Sequence, residues 1–308
     1  MTSTDKLQAP AFEWAFLSPR NWILWLWFAV LWLITRLPFP VVYHFGRGFG
    51  LLVMHLAPKR RAIAARNLEL CFPEKTDTER EHILRESFAG AGLTIFESGL
   101  VWWPYKKFAS RVEINGIEHI QRLREAGKPV LAFSLHNTPI EACLSALSFH
   151  APFNALFRVH DNPLWEYISY RGRTRYNLQL VPRKQVKQLL ALMNEREVGL
   201  ILPDQDFGKR RSIFVPFFDI QTATVPSVTD FARQTDAAVV FINYYRKGPQ
   251  GYGVEISAPL ENFPSGDEQA DTARTNQITE EAIRQHPGEY LWHHRRFKTR
   301  PEGEERIY

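Results

Sequence analysis

FSLHNTPIEACLSAL, residues 133–147, is the stretch on which the reading of the chain turns. The apolar run Pro129 to Leu135 ahead of it has the length and composition of a buried strand, and Ile140 to Leu147 behind it has helical periodicity. His136 therefore falls at the carboxyl end of a strand. In an open α/β sheet ligands bind there, in the crevice outside the strand ends. Five residues separate His136 from Glu141, which on one helix would turn the side chains about 140° apart. They can meet only if His136 stands in the loop and Glu141 in the first helical turn. Pro139 supports that boundary, because proline is tolerated at a helix start and disfavours helix in the residue before it. Such a pair is a base with its orienting carboxylate, able to take a proton from an alcohol. The competing reading is structural: Thr138 to Glu141 also fits a capping box, with Glu141 reaching back to the cap.

Working outward, strands are expected near residues 112–115, 130–135, 154–158, 178–181, 198–203, 213–217, 238–245 and 252–258. Helices are expected near 139–149, 163–173, 184–195, 223–235 and 267–286. Short apolar strands alternating with helices imply a mostly parallel sheet covered on both faces. Upstream, two helices flank Pro73, the second starting near Thr76 to Glu79, and a third segment runs from about Glu81 to Trp103. GRGFG at 46–50 follows no strand, so it reads as close helix packing rather than a dinucleotide loop.

Residues 1–20 read as a polar, loosely ordered segment. NWILWLWFAVLWLIT, 21–35, is apolar on all sides and holds four of the nine tryptophans. Tryptophan-rich apolar helices favour the membrane boundary, so residues 21–57 are expected to anchor the chain, either spanning or lying in the interface. Basic residues thicken after it, at Arg36, Arg47, Lys59, Arg60, Arg61 and Arg66, which by the positive-inside bias puts the body, residues 58–308, in the cytoplasm.

At 308 residues, 45% hydrophobic and 23% charged, the chain can bury a sizeable core. Two cysteines, Cys71 and Cys143, are too few for a disulfide framework, and Cys143 reads as core filling. A net charge of +5 points to acidic partners. G-x-S-x-G, H-E-x-x-H, Cys/His metal spacing and a P-loop are all missing from the sequence, which removes serine-hydrolase, zinc-hydrolase and nucleotidase readings. A histidine-based transfer with no metal and no cofactor remains.

Three separated stretches carry a resemblance. RNLELCFPEKTDTER (66–80), the HX4E spacing from His136 to Glu141, and PDQDFGKRRSIFVPFF (203–218) with YLWHHRRFKTRPEG (290–303) resemble the lipid A late acyltransferases of Gram-negative bacteria, the lauroyl and myristoyl transferases. The resemblance implies a glycerolipid-acyltransferase-like α/β/α sandwich with a mostly parallel central sheet, preceded by an N-terminal membrane helix and covering helices. It implies an inner-membrane enzyme of lipopolysaccharide assembly facing the cytoplasm. That enzyme would move an acyl chain from acyl carrier protein to a hydroxyl on an acyl chain of a Kdo2-lipid IVA type precursor, with no nucleic-acid partner. One departure is visible. Where the family has a Gly-Asn-Trp-like filling, this chain has Asn137, Thr138, Pro139 and Ile140.

His136 and Glu141 are then the expected catalytic pair. Arg158 falls where the family places a phosphate-binding arginine, with an ion pair to Asp161 or Glu166 as its rival role. Asp204, Gln205 and Asp206 follow another strand and could hold acceptor hydroxyls, bond His136 or Arg158, or cap the turn before Gly208. Lys209, Arg210 and Arg211 could meet a phosphate or the acidic carrier. Phe214, Phe217 and Phe218 could line an acyl tunnel or belong to the core. The basic tail, His293 to Arg300, suits anionic lipid headgroups. Two other readings share these features: a lysophosphatidate-type glycerolipid acyltransferase, and a non-catalytic membrane-bound lipid-binding protein.

Overall fold

The structure is a computed structural model that describes residues 9–103 and 108–308. Seven strands form one sheet in the order β1-β9-β8-β2-β5-β3-β4, from β1 (Val112–Asn115) at one edge to β4 (Leu178–Pro182) at the other. Between them lie β9 (Tyr252–Ile256), β8 (Ala238–Arg246), β2 (Val130–Phe133), β5 (Val198–Ile201) and β3 (Phe153–Phe157). Every neighbouring pair is parallel except β8 with β9. The mostly parallel sheet expected from the sequence is thus present.

β2 is the central strand, and its side chains split the interior in two because successive residues of a strand point to opposite faces. Val130 and Ala132 join a core with the second half of helix α4 (Asp77–Trp102) and with α6 (Ile140–Leu147). Helices α1 (Trp22–Ile34), α2 (Phe39–Leu56) and α7 (Pro163–Arg173) complete that layer. Leu131 and Phe133 join a core with α3 (Pro58–Cys71) and the first half of α4. Helices α8 (Val186–Asn194), α9 (Ser227–Thr235) and α10 (Glu268–Gln285) cover this second face. A short helix, α5 (Ile117–Glu125), follows β1 and has no counterpart among the helices expected from the sequence.

The stretch 213–217 is a strand, but one that pairs antiparallel with β7 (Ile220–Thr224) as a separate hairpin outside the main sheet. The expected helix from 223 starts later, at Ser227, because residues 220–224 are drawn into that hairpin. GRGFG packs as expected: a Cβ on Gly50 would sit 2.1 Å from the carbonyl oxygen of Phe88, so α2 and α4 can close on each other only with glycine there. The capping box forms at Thr76, whose hydroxyl accepts from Glu79 N while the Glu79 carboxylate accepts from Thr76 N.

The N-terminal expectation is corrected in two ways. Among the described residues no helix is long and apolar enough to cross a membrane. α1 stops at Ile34 after 13 residues, roughly 20 Å, because Leu37–Pro38 breaks the helix and α2 sets off separately against α4. Residues 12–20 are also attached to the body rather than loose: Phe16 is buried, with its ring 5.6 Å from that of Tyr167, and its carbonyl accepts from Trp25 Nε1 at 2.9 Å. Residues 1–8 lie outside the described ones. α1 and α2 bury one side each and leave the other bare, with Trp22, Ile23, Leu26 and Leu33 exposed on α1 and Val41, Phe45, Leu52 and Leu56 on α2.

Candidate active site

Three adjacent strands, β2, β5 and β3, release their chains at the same edge of the sheet, and a cavity of about 2310 Å³ opens there. His136 lines it from the loop after β2. Its Nδ1 lies 2.6 Å from Asp204 Oδ1, and its backbone N–H donates to Asp204 Oδ2 at 2.8 Å. One carboxylate thus grips both ring and main chain. Asp204 is buried, which by itself would raise its pKa, yet the neighbouring His136 and the hydrogen bonds from it hold the carboxyl below its usual value. With Nδ1 engaged, Nε2 is the ring nitrogen left for chemistry.

Glu141 does not take the orienting role expected for it. From the first turn of α6 it accepts from Arg173 Nε at 2.9 Å and 3.0 Å, and from Trp102 Nε1 at 2.9 Å. Arg173 Nη2 adds a contact of 2.9 Å, making the pair bidentate. Arg173 is buried, which would lower its pKa, but Glu141 more than offsets this and the guanidinium titrates higher than usual. Glu141 therefore ties α6 to α7 and α4 and forms part of the cavity wall. The Thr138–Glu141 capping box is also not formed: Pro139 is the cap residue, and the Thr138 hydroxyl donates to Glu289 Oε2 at 2.9 Å instead.

The remaining expected residues divide sharply. Arg158 lines the cavity mouth from the end of β3 and also pairs with Asp161 at 2.9 Å, in an exposed setting. Gln205, Arg210 and Arg211 line the cavity as well. Asp204 and Asp206 do not offer themselves to a substrate. Asp204 is committed to His136, and Asp206 accepts from Gly208 N at 2.8 Å and from Thr299 N at 2.6 Å, pinning the turn and the tail together. Lys209 lies 3.8 Å from Glu302.

Phe217 and Phe218 are core, not tunnel: they pack edge-on against each other, Phe218 against Phe72 and Trp292, and Phe217 near Phe297. Phe214 is not on the cavity wall either. The apolar lining comes from elsewhere, from Ile140 and Leu144 of α6, Leu178 and Leu180 of β4, and Phe207 and Phe231. Cys143 is buried as core filling, and burial pushes its thiol well up.

Two cations of the basic tail are likewise tied into the fold rather than offered to headgroups. Arg296 is 2% exposed and donates to the Ala223 carbonyl and Thr224 Oγ1, both at 2.8 Å. Arg300 donates to the Gln221 carbonyl at 2.7 Å, and Asn67 Nδ2 holds the Trp292 and His294 carbonyls at 2.7 and 2.8 Å. The tail is a strap across the fold, in which Arg296 and Arg300 offset part of their desolvation through these hydrogen bonds while Arg295 and Lys298 stay exposed.

Sequence reasoning did not single out Arg173, Trp102 or the cations Arg183, Lys184 and Lys187, which line the cavity with Arg158, Arg210 and Arg211. Arg183 and Lys184 sit just past a strand end, a signal that could have found them.

An imidazole held by a buried acid stands at the carboxyl edge of a mostly parallel sheet, over a cavity with apolar walls and a set of cations, an arrangement suited to moving a proton beside an anionic amphiphile. Comparison with known proteins narrows this further. Residues 9–299 match the model of the bacterial lipid A biosynthesis acyltransferases, and the chain belongs to that family. It is 36% identical over 297 residues to the lipid A biosynthesis lauroyltransferase of Escherichia coli K12, covering 96% of this chain and 97% of that one. The palmitoleoyltransferase of the same organism is 34% identical, over 95% of this chain and 96% of its own. The myristoyltransferase is 29% identical, over 97% and 94%. Among solved structures, a 1-acyl-sn-glycerophosphate acyltransferase from Thermotoga maritima overlaps 73% of this chain and 97% of its own at a TM-score of 0.36 and 14% identity. The chain is an acyltransferase of lipid A biosynthesis, and the resemblance noted in the sequence is borne out.

Proposed function

We propose that the chain carries a fatty acyl group from the thioester of acyl carrier protein to the hydroxyl of an acyl chain already on a phosphorylated lipid A precursor, with His136 as general base. The observation that carries this is the His136–Asp204 contact of 2.6 Å at the mouth of the cavity. His136 Nε2 takes the hydroxyl proton as the oxygen attacks the thioester carbonyl. The tetrahedral adduct then collapses, the C–S bond breaks, and the proton passes from the imidazolium to the departing thiolate. Asp204 fixes the ring's tautomer and stabilises the imidazolium while it lasts. No covalent enzyme intermediate is required, and the cysteine nearest His136 in sequence, Cys143, is buried off the cavity wall with its thiol pushed up.

The cations around the cavity suit such substrates. Arg158, Arg210 and Arg211 line it from the segments after β3 and β5, and Arg183, Lys184 and Lys187 from the end of β4 and the start of α8, enough for phosphates on the acceptor and for an acidic carrier protein. The apolar wall suits the acyl chains. The test is turnover of the purified full chain with acyl carrier protein thioester and phosphorylated lipid A precursor, read by mass spectrometry. His136→Ala is expected to lower kcat by about a hundredfold or more with the melting temperature kept. Unchanged turnover would remove the imidazole from the mechanism.

Attachment to the cytoplasmic face of the inner membrane belongs to the same proposal, now as an interfacial mode. The bare apolar sides of α1 and α2 form the kind of exposed patch that marks a membrane-binding surface. Ile23→Glu combined with Leu26→Glu is expected to cut co-flotation with anionic lipid vesicles several-fold. Flotation equal to that of the unaltered chain would place the attachment elsewhere.

A further inference from the structure

Behind the active-site loop lies a buried ion cluster that the proposed chemistry does not use. Glu97 of α4 is fully buried, and Arg246 at the end of β8 has a side chain only 4% exposed. Arg246 forks onto Glu97, with Nε at 2.7 Å from Oε1 and Nη2 at 2.6 Å from Oε2, and Tyr252 OH adds a 2.6 Å bond to Oε1. The other branch, Nη1, donates to Glu289 Oε2 at 2.6 Å and to the Thr138 hydroxyl. Burying two carboxylates and one guanidinium is costly, and such a cluster is weak evidence for stability; its better attested use is to fix one arrangement of the parts it joins.

What it joins is the loop that carries His136. Thr138 is held on every polar atom: its N–H donates to the Glu289 carbonyl at 2.7 Å, its carbonyl accepts from Thr94 Oγ1 at 2.7 Å, and its hydroxyl lies between Glu289 and Arg246. Next to Glu289, Tyr290 bridges Asn137, and Leu291 N donates to the His136 carbonyl at 3.1 Å. Residues 136–138 thus lie against 289–291 as a short antiparallel pair. Room for the cluster comes from Gly90, where a Cβ would stand 2.8 Å from Thr138 Oγ1 and 3.0 Å from Arg246 Nη1.

We propose that Glu289, held by Arg246 and Glu97, is a positioning residue: it seats Thr138 and so sets the place of the His136 imidazole against Asp204 and the cavity. The inference rests on His136 being the base. A misplacement of about 1 Å at a catalytic group can cost about a hundredfold in rate, so loss of the seat should appear in kcat rather than in substrate binding.

The full chain is assayed for acyl transfer as three variants beside His136→Ala. Glu289→Ala is expected to lower kcat about thirtyfold with KM for both substrates within about twofold, a split that follows from misplacing a base without touching substrate. Glu289→Gln, which keeps the hydrogen bonds to Thr138 and Arg246 while removing the charge, is expected to restore kcat to within about threefold of the unaltered enzyme. Leu68→Ala, a cavity variant on α3 that removes no hydrogen bond of the loop, is expected to lower the melting temperature comparably and to keep kcat within about twofold. Glu289→Ala with unchanged kcat, or a kcat loss equalled by Leu68→Ala at matched melting temperature, would overturn the positioning role. If His136→Ala in the same assay leaves turnover intact, the general base itself fails; if only that variant is inactive and Glu289→Ala is not, the seat alone fails.

Discussion

The loops leaving β2 and β5 stand side by side at one edge of the sheet, yet their acids behave in opposite ways. Glu141, five residues beyond His136, turns away to Arg173 and Trp102. Asp204, 68 residues away in sequence, holds both the ring and the main chain of His136. Strand register explains the choice. β2 and β5 run parallel with Phe133 opposite Ile201, and three residues further along each chain stand His136 and Asp204. Parallel neighbours present equivalent positions to each other, whereas a residue in the first turn of the following helix is carried away with that helix. Partners in this site are made across strands, and nearness in sequence is a poor guide to them.

The strongest way to break that comparison is to neutralise each acid in turn. Asp204→Asn leaves one oxygen to accept from both the ring and the main-chain N–H of His136 and removes the charge that stabilises the imidazolium, so kcat is expected to fall by about a thousandfold or more. Glu141→Gln retains an oxygen for Trp102 and Arg173 but leaves the Arg173 charge short of its partner. The melting temperature should drop by several degrees while kcat falls no more than about tenfold. Steady-state kinetics beside thermal denaturation decide it. Equal kcat losses in the two variants at unchanged melting temperatures would mean that Glu141 also acts on the reacting atoms.

The same contrast explains how much was legible beforehand. β2 and β8 were readable as strands because each holds an apolar run of four or more residues, β3 and β5 because short apolar runs broken only by Asn154 and Gly199 stand between helical segments, and GRGFG was readable as close helix packing because it follows no strand. His136, Arg158 and Gln205 were found because each sits shortly beyond a strand, Arg210 and Arg211 because they stand next along the same loop as Gln205, and all line the cavity. The acid partner was misassigned because a single sequence fixes which residues end a strand, not which strand lies beside it. Phe217 and Phe218 looked like tunnel lining for a related reason: the strand turns into a hairpin packed on α10 and the tail, which aims Phe218 at Phe72 and Trp292 and Phe217 at Phe297. Arg296 and Arg300 of the tail were misread because their partners include backbone carbonyls of β7, acceptors that every residue carries and no motif announces.

The third strand end gives the mildest and sharpest case. Arg158, at the end of β3, does pair locally, with Asp161 three residues on, and both side chains are largely exposed at 66% and 89%. An exposed pair of this kind contributes little, with a median of about 0–1 kcal/mol, so it leaves Arg158 free to exchange its partner for a phosphate. Asp161→Ala is therefore expected to leave the melting temperature within about one degree and the acceptor KM unchanged or lower. Arg158→Ala should raise the KM for the phosphorylated acceptor about tenfold, the scale of a lost charge-assisted contact, with little change in the KM for the thioester donor. Were Asp161→Ala to destabilise the fold, or Arg158→Ala to weaken both substrates equally, the local pair would be structural. The rule drawn from His136 and Asp204 would then fail at the adjacent strand.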